Sequence, residues 1–90
     1  MGISWPNKDP NEVLDYTIDW DGRLGGDTIA SSAWTVPAGI TKDSDTMADA
    51  TTTIWLSGGT HNTKYTLENR ITTEGGRTLD QSVKILIRNR

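Results

Sequence analysis

The chain has no cysteine, no phenylalanine and only one histidine. Without thiols there is no disulfide framework, no thiolate metal site and no cysteine nucleophile, so hydrophobic packing alone holds the fold. Ninety residues make one domain, and a chain of that size buries only roughly 60–65% of its unfolded surface, which demands a tight core. Nor is there an apolar run approaching the 18–20 or so residues of a membrane span. The opening MGISWPNKDP lacks the basic start and apolar stretch of a secretory leader, and its Met-Gly start is followed by Pro6 where a myristoylation signal has Ser or Thr. The chain reads as made and kept in a cytoplasm, or assembled into something there, with no membrane partner. Positive charge is not in excess either. Nine basic residues, scattered along the chain, stand against twelve acidic ones for a net charge of −3, which argues against nucleic acid as a partner.

Reactive constellations are equally sparse. A nucleophilic triad needs a base, and the single candidate, His61, sits between Thr60 and Asn62 in a glycine-led turn, the setting of a solvated side chain. Nine aspartates outnumber three glutamates, but most lie at strand edges and turns, where Asp is favoured for its backbone hydrogen bonds rather than for glycosidic chemistry. DWDG (Asp19 to Gly22) and DSDTMAD (Asp43 to Asp49) space several oxygens as calcium loops do, yet neither ends in a bidentate Glu. The expectation is a chain with no catalytic residue, no metal and no cofactor.

What the sequence does have is strand period. Residues 1–12, with two prolines, read as an extended arm, mobile unless something pairs with it. From Val13, Leu14, Tyr16, Ile18 and Trp20 alternate with Asp15, Thr17, Asp19 and Asp21, giving one buried and one wet face. DGRLGGD then reads as a glycine loop carrying Leu24. In TIASSAWTV, Ile29 falls on one parity and Trp34 with Val36 on the other, so the strand is expected to bulge near Ser31 and Ser32. Pro37, Ala38 and Gly39 then turn a sandwich corner. A short strand follows around Ile40 to Lys42, and TTTIWLSGG puts Ile54 and Leu56 on one face, Thr53 and Trp55 on the other. Tyr65, Leu67 and Ile71 form an inward row with Asn69 as its polar exception, and Tyr65, heading a strand after a Gly-Gly turn, has the setting of a tyrosine corner. TEGGRT reads as a hairpin leading to a last strand with Val83, Ile85 and Ile87. About seven strands with turn signals every eight to twelve residues predict an all-β fold, an immunoglobulin-like antiparallel β-sandwich over 13–90.

Four tryptophans suggest recognition. Trp20 and Trp34 share parity with apolar neighbours and belong to the core. Trp55, opposite the Ile54 and Leu56 face, and Trp5, on the arm, are candidates for binding a partner. Leu24, set among glycine and charge, and its neighbour Arg23 complete the partner-binding set of Trp5, Arg23, Leu24 and Trp55. An exposed tryptophan also suits a glycan-binding or adhesin module, the alternative reading.

In order, KDPNEVLDYTIDW, LGGDTI, AWTVPAGI, WLSGGT and YTLENRITTEGGRT resemble the small fibre-tail adaptor proteins of tailed bacteriophages and prophages. The likeness runs from Lys8 to about Ile87. It rests on Asp9-Pro10, Asp15-Tyr16, Asp19-Trp20, Asp27 to Ile29, Trp34 with Val36 to Gly39, Leu56 to Thr60, Tyr65, Asn69 and Gly76-Arg77. The resemblance implies an immunoglobulin-like virion component without catalytic activity, made in the bacterial host cytoplasm and present in several copies on the phage tail. It implies that the protein joins tail to fibre, with tail and fibre proteins and further copies of itself as partners. THNT departs from the pattern where a glycine is expected near Asn62; asparagine tolerates a left-handed φ, so the turn is expected to survive.

Overall fold

The alternation from Leu14 onward becomes a strand with its apolar residues inward, and the same rule builds the rest of the molecule. A computed structural model describes residues 2–88, so that Met1, Asn89 and Arg90, which the arm and domain assignments include, lie outside the described residues. The elements are β1 (Gly2–Ser4), β2 (Leu14–Asp19), a helical turn α1 (Asp21–Leu24), β3 (Ile29–Thr35), β4 (Ile40–Met47), β5 (Thr51–Gly58), β6 (Thr63–Thr73) and β7 (Thr78–Ile87). They form the expected all-β sandwich: one sheet in the order β1-β7-β6-β3, the other β2-β5-β4. All neighbours pair antiparallel except β1, which lies parallel to β7.

Each sheet turns alternate residues inward. Tyr16, Ile18, Ile54 and Leu56 come from the three-stranded sheet. Tyr65, Leu67, Ile71, Val83, Ile85 and Ile87 come from the four-stranded one, and all are buried in one core. Fully burying a side chain of this kind stabilises by about 1.5–3 kcal/mol. Asn69, the polar residue between Leu67 and Ile71, is buried because the core supplies its partners. The Trp20 indole N–H donates to Thr52 Oγ1 (3.0 Å) and the Thr52 hydroxyl donates to Asn69 Oδ1 (2.6 Å). Asn69 Nδ2 in turn donates to Ser32 Oγ (2.9 Å) and to the Ala33 carbonyl (3.0 Å). This chain runs from the end of β2 through β5 and β6 to β3, and so ties the two sheets together through their interior.

The phase change in β3 is a register shift between Ile29 and Ser31, and the Pro37-Ala38-Gly39 break carries the chain from the four-stranded to the three-stranded sheet. Tyr65 forms its corner: its hydroxyl oxygen accepts the Thr60 N–H at 3.1 Å. Gly39, at φ 101°, leaves room for it, since a β-carbon there would stand 2.8 Å from the phenolic oxygen. Asn62 takes the left-handed φ of 63° that its place in the turn requires.

Three expectations are corrected. DGRLGGD is not an open loop: Arg23 and Leu24 N–H groups donate to the Trp20 carbonyl (2.8 and 3.2 Å), making a helical turn that Gly25 ends at φ 59°. The strand after Gly39 runs on to Met47, because pairing with β5 stabilises a polar edge whose own pattern is weak. And the segment assigned as a free arm is extended but not free of the sandwich. After the β1 pairing, Trp5 N–H donates to Lys84 O (2.9 Å), Lys8 N–H to Leu86 O (3.1 Å) and Arg88 N–H to Lys8 O (2.8 Å). These bonds are made by the backbone, so side-chain period carries no sign of them.

Candidate interaction surfaces

The four residues singled out for partner binding occupy different places. Leu24 is 1% exposed and belongs to the core. Its assignment as a partner plug is overturned by the helical turn, which rotates the side chain from the loop tip onto the sandwich. Arg23, one residue earlier on the same turn, is exposed. Its guanidinium lies 5.1 Å from the Trp20 ring centroid, while Nη1 donates to the Asp80 carbonyl (2.8 Å) and to Gln81 Oε1 (3.3 Å). Such a cation over a ring contributes about 0.5–1 kcal/mol at an exposed site, so Arg23 closes the core end of the turn against β7.

Trp5 is half-buried. It stacks on Tyr16 with ring centroids 4.7 Å apart and planes 13° apart, and it meets Trp34 at 6.0 Å and 46°. That geometry, worth about 0.5–1.5 kcal/mol per aromatic pair beyond area burial, makes Trp5 part of the sandwich. Lys8, three residues on, is fully buried, and its Nζ donates to the carbonyls of Gly58 (2.7 Å) and Asp9 (2.9 Å). Burial pulls the Lys8 ammonium below its ordinary pKa, opposed by the charges of Glu12, Asp9 and Asp43. Nothing in the sequence period marks this lysine; only the return of β5 to its side supplies the Gly58 carbonyl.

Trp55 alone stands as the sequence places it, 39% exposed on the outer face of the three-stranded sheet. On either side in register are Asp15 of β2 and Ser44 of β4. A register shift between Lys42 and Ser44 lets Asp43 reach the same face, where Ser57 Oγ donates to its Oδ1 (2.8 Å). Thr17 and Thr53 hydroxyls are bonded to each other at 2.9 Å beside them. Lys42 falls on the other parity and pairs with Asp45 at 3.5 Å, while the buried Lys8 ammonium interacts with the Asp43 charge. The face is therefore an aromatic centre with a polar, acidic rim, the arrangement in which interface anchors are found.

At the end around Leu86, the outer face of the four-stranded sheet has the opposite sign. Lys84 and Leu86 project outward between buried Val83, Ile85 and Ile87, and Lys64 lies directly opposite Leu86 on β6. Farther along, Arg70 Nε donates to Asp80 Oδ1 at 2.8 Å, and that pair neutralises itself; Glu68 is the remaining acid of the strand.

At the hairpin end, Asp27 is a residue the sequence reading did not single out as a site. Its Oδ1 accepts the Thr28 N–H (2.9 Å) and the Gly75 N–H (3.1 Å). Its pKa is lowered by the Thr73 hydroxyl first and the Thr28 N–H next, with desolvation opposing and Gly75 and Arg77 adding. A β-carbon on Gly75 would stand 2.6 Å from Oδ2, so the carboxylate and the glycine specify one another. Among the described residues there is no cluster of His, Asp and Glu able to hold a metal ion and no helix long and apolar enough to cross a membrane.

The family model described as Podophage GP4 fiber-tail adaptor protein gp77 matches residues 8–86. No curated protein matches the chain.

Proposed function

Because the chain belongs to the podophage GP4 fibre-tail adaptor family, we propose that it is a non-catalytic structural component of a phage tail that joins tail to fibre through protein–protein contacts. The observation that carries this is the family match, which spans the sandwich from Lys8 almost to the end of β7. The molecule suits the role in two ways. Its two sheets, β2, β5 and β4 in one and β1, β7, β6 and β3 in the other, with a tyrosine corner at the start of β6, support the immunoglobulin-like reading. Such a module offers broad faces to neighbours. The Trp55 face also presents a large, partly exposed aromatic side chain with Asp15 and Asp43 beside it, a residue type favoured as an interface anchor. In this reading the protein is a virion component whose partners are tail and fibre proteins and further copies of itself.

The test is capture of tagged protein from a lysate expressing phage tail genes, with bound proteins identified by mass spectrometry. Recovery of a tail or fibre protein is expected, and loss of that recovery on Trp55→Ala would place the contact. Failure to recover either class from a lysate that contains both would end the adaptor reading. The exposure of Trp55 also favours one alternative, a glycan-binding module that stacks sugar on the indole. Titration with oligosaccharides would then shift or quench tryptophan fluorescence in the parent and not in Trp55→Ala.

A further inference from the structure

The two outer faces of the sandwich complement one another. One centres on Trp55 with Asp15 and Asp43 at its rim. The other centres on half-buried Leu86 with Lys64 and Lys84 beside it. Each has an apolar middle, the rims have opposite charge, and they lie on opposite sides of the same molecule. Charge of one sign around an apolar centre steers a partner of the other sign and fixes its register. Here the matching surface is already present on the chain itself.

We propose that copies of this chain bind one another head to tail, the Trp55 face of one seated on the Leu86 face of the next. In this contact Trp55 packs on Leu86, while Asp15 and Asp43 meet Lys64 and Lys84. The broad side of a molecule measuring 41 × 24 × 19 Å is of the size a stable contact uses, about 800 Å² per partner. Because the two surfaces differ, the contact is heterologous: each copy keeps one face free, and repetition gives a ring or a stack rather than a closed pair. This deepens the adaptor reading by naming the surface through which copies meet, and it is tested on the purified protein alone.

The experiment is sedimentation of the full chain across concentration and salt, with two variants. Asp15→Lys with Trp55→Ala removes one face, and Lys64→Glu with Lys84→Glu removes the other. All these side chains are exposed, and near-ultraviolet circular dichroism and an unchanged melting temperature confirm that each variant folds. The parent is expected to show a mass above the monomer that rises with concentration and falls as salt screens the charges. Each variant alone should weaken association by about thirty-fold or more, as truncating an interface anchor does. The decisive sample is the 1:1 mixture of the two variants. It should form a heterodimer that grows no further, since one variant retains the acidic face and the other the basic face.

A parent that stays monomeric up to about 1 mM, the range of the weakest specific contacts, would overturn the proposal, as would a mixture that forms no heterodimer. An assembly disrupted by one variant and untouched by the other would overturn it too. Such failures leave the tail-and-fibre reading standing on its own capture experiment, and failure of that capture leaves self-association standing.

Discussion

Replacing Thr52 by valine tests whether the interior hydrogen-bond chain is a structural tie or an incidental contact. The swap keeps the shape of the side chain and removes only the hydroxyl, so no cavity forms. What is lost is the acceptor for the Trp20 indole N–H at 3.0 Å and the donor to Asn69 Oδ1 at 2.6 Å. Both partner residues are fully buried, and neither can turn to water. Each of the two stranded polar groups costs about 1–3 kcal/mol, offset in part by the extra buried methyl at about 0.8 kcal/mol, for a net loss of about 1–5 kcal/mol. That is a large share of the roughly 5–15 kcal/mol by which domains are stable, and in a domain of this size it lowers the melting temperature by roughly 5–40 °C. The assay is urea unfolding followed by tryptophan fluorescence, in which the midpoint should fall while the slope stays constant, because the surface exposed on unfolding is unchanged. Thr52→Ser is the control: it keeps the hydroxyl, loses a methyl, and should cost only about 1 kcal/mol. If valine proves no more destabilising than serine, the chain of bonds contributes nothing and the reasoning fails.

Leu24→Ala should cost about 2–5 kcal/mol in the same assay, the loss for a fully buried leucine; a change below about 0.5 kcal/mol, typical of surface positions, would put the side chain back in the loop. Tyr65→Phe removes the oxygen that accepts the Thr60 N–H and should cost about 1 kcal/mol, read as a lower melting temperature with an unaltered circular dichroism spectrum. For Asp27 the folded-state pKa lies below its ordinary value, chiefly through the Thr73 hydroxyl and then the Thr28 N–H. Its contribution is therefore present above the ordinary carboxylate range, near pH 4, and is lost as the pH falls below it. Asp27→Asn should accordingly melt below the parent at pH 7, with the two curves converging toward pH 2; a gap that persists in acid would mean that the charge is not what holds the hairpin.

Trp55 and Leu24 show what kind of information a sequence of this type carries. Trp55 was legible because it lies within an alternating run: once Ile54 and Leu56 are inward, the residue between them must face out. Leu24 was misread because its placement depends on a single helical turn. Three glycines around it suggested a loop, and only the αR conformation of Trp20 with the left-handed Gly25 decides that the side chain returns to the core. Arg23 follows the same logic, reaching Asp80 and Gln81 only because that turn brings it beside a strand far along the chain.

By itself the sequence determined the architecture: strand period set which residues face inward, the β3 phase change set the bulge, Pro37 to Gly39 set the crossing between sheets, and Asn69 stood out as the polar member of an apolar row. Those features are local, since side-chain alternation and φ preference act within a few residues of one another. Only the tertiary structure decided where residues 2–8 go, that Lys8 is buried beneath the Gly58 carbonyl, and that Thr52, Asn69 and Trp20 share one chain of hydrogen bonds. It also decided that the carboxylates of β2 and β4 gather around Trp55 while the lysines of β6 and β7 gather on the other side. Each of these rests on the pairing of strands distant in sequence, whose register brings together side chains that no local period relates.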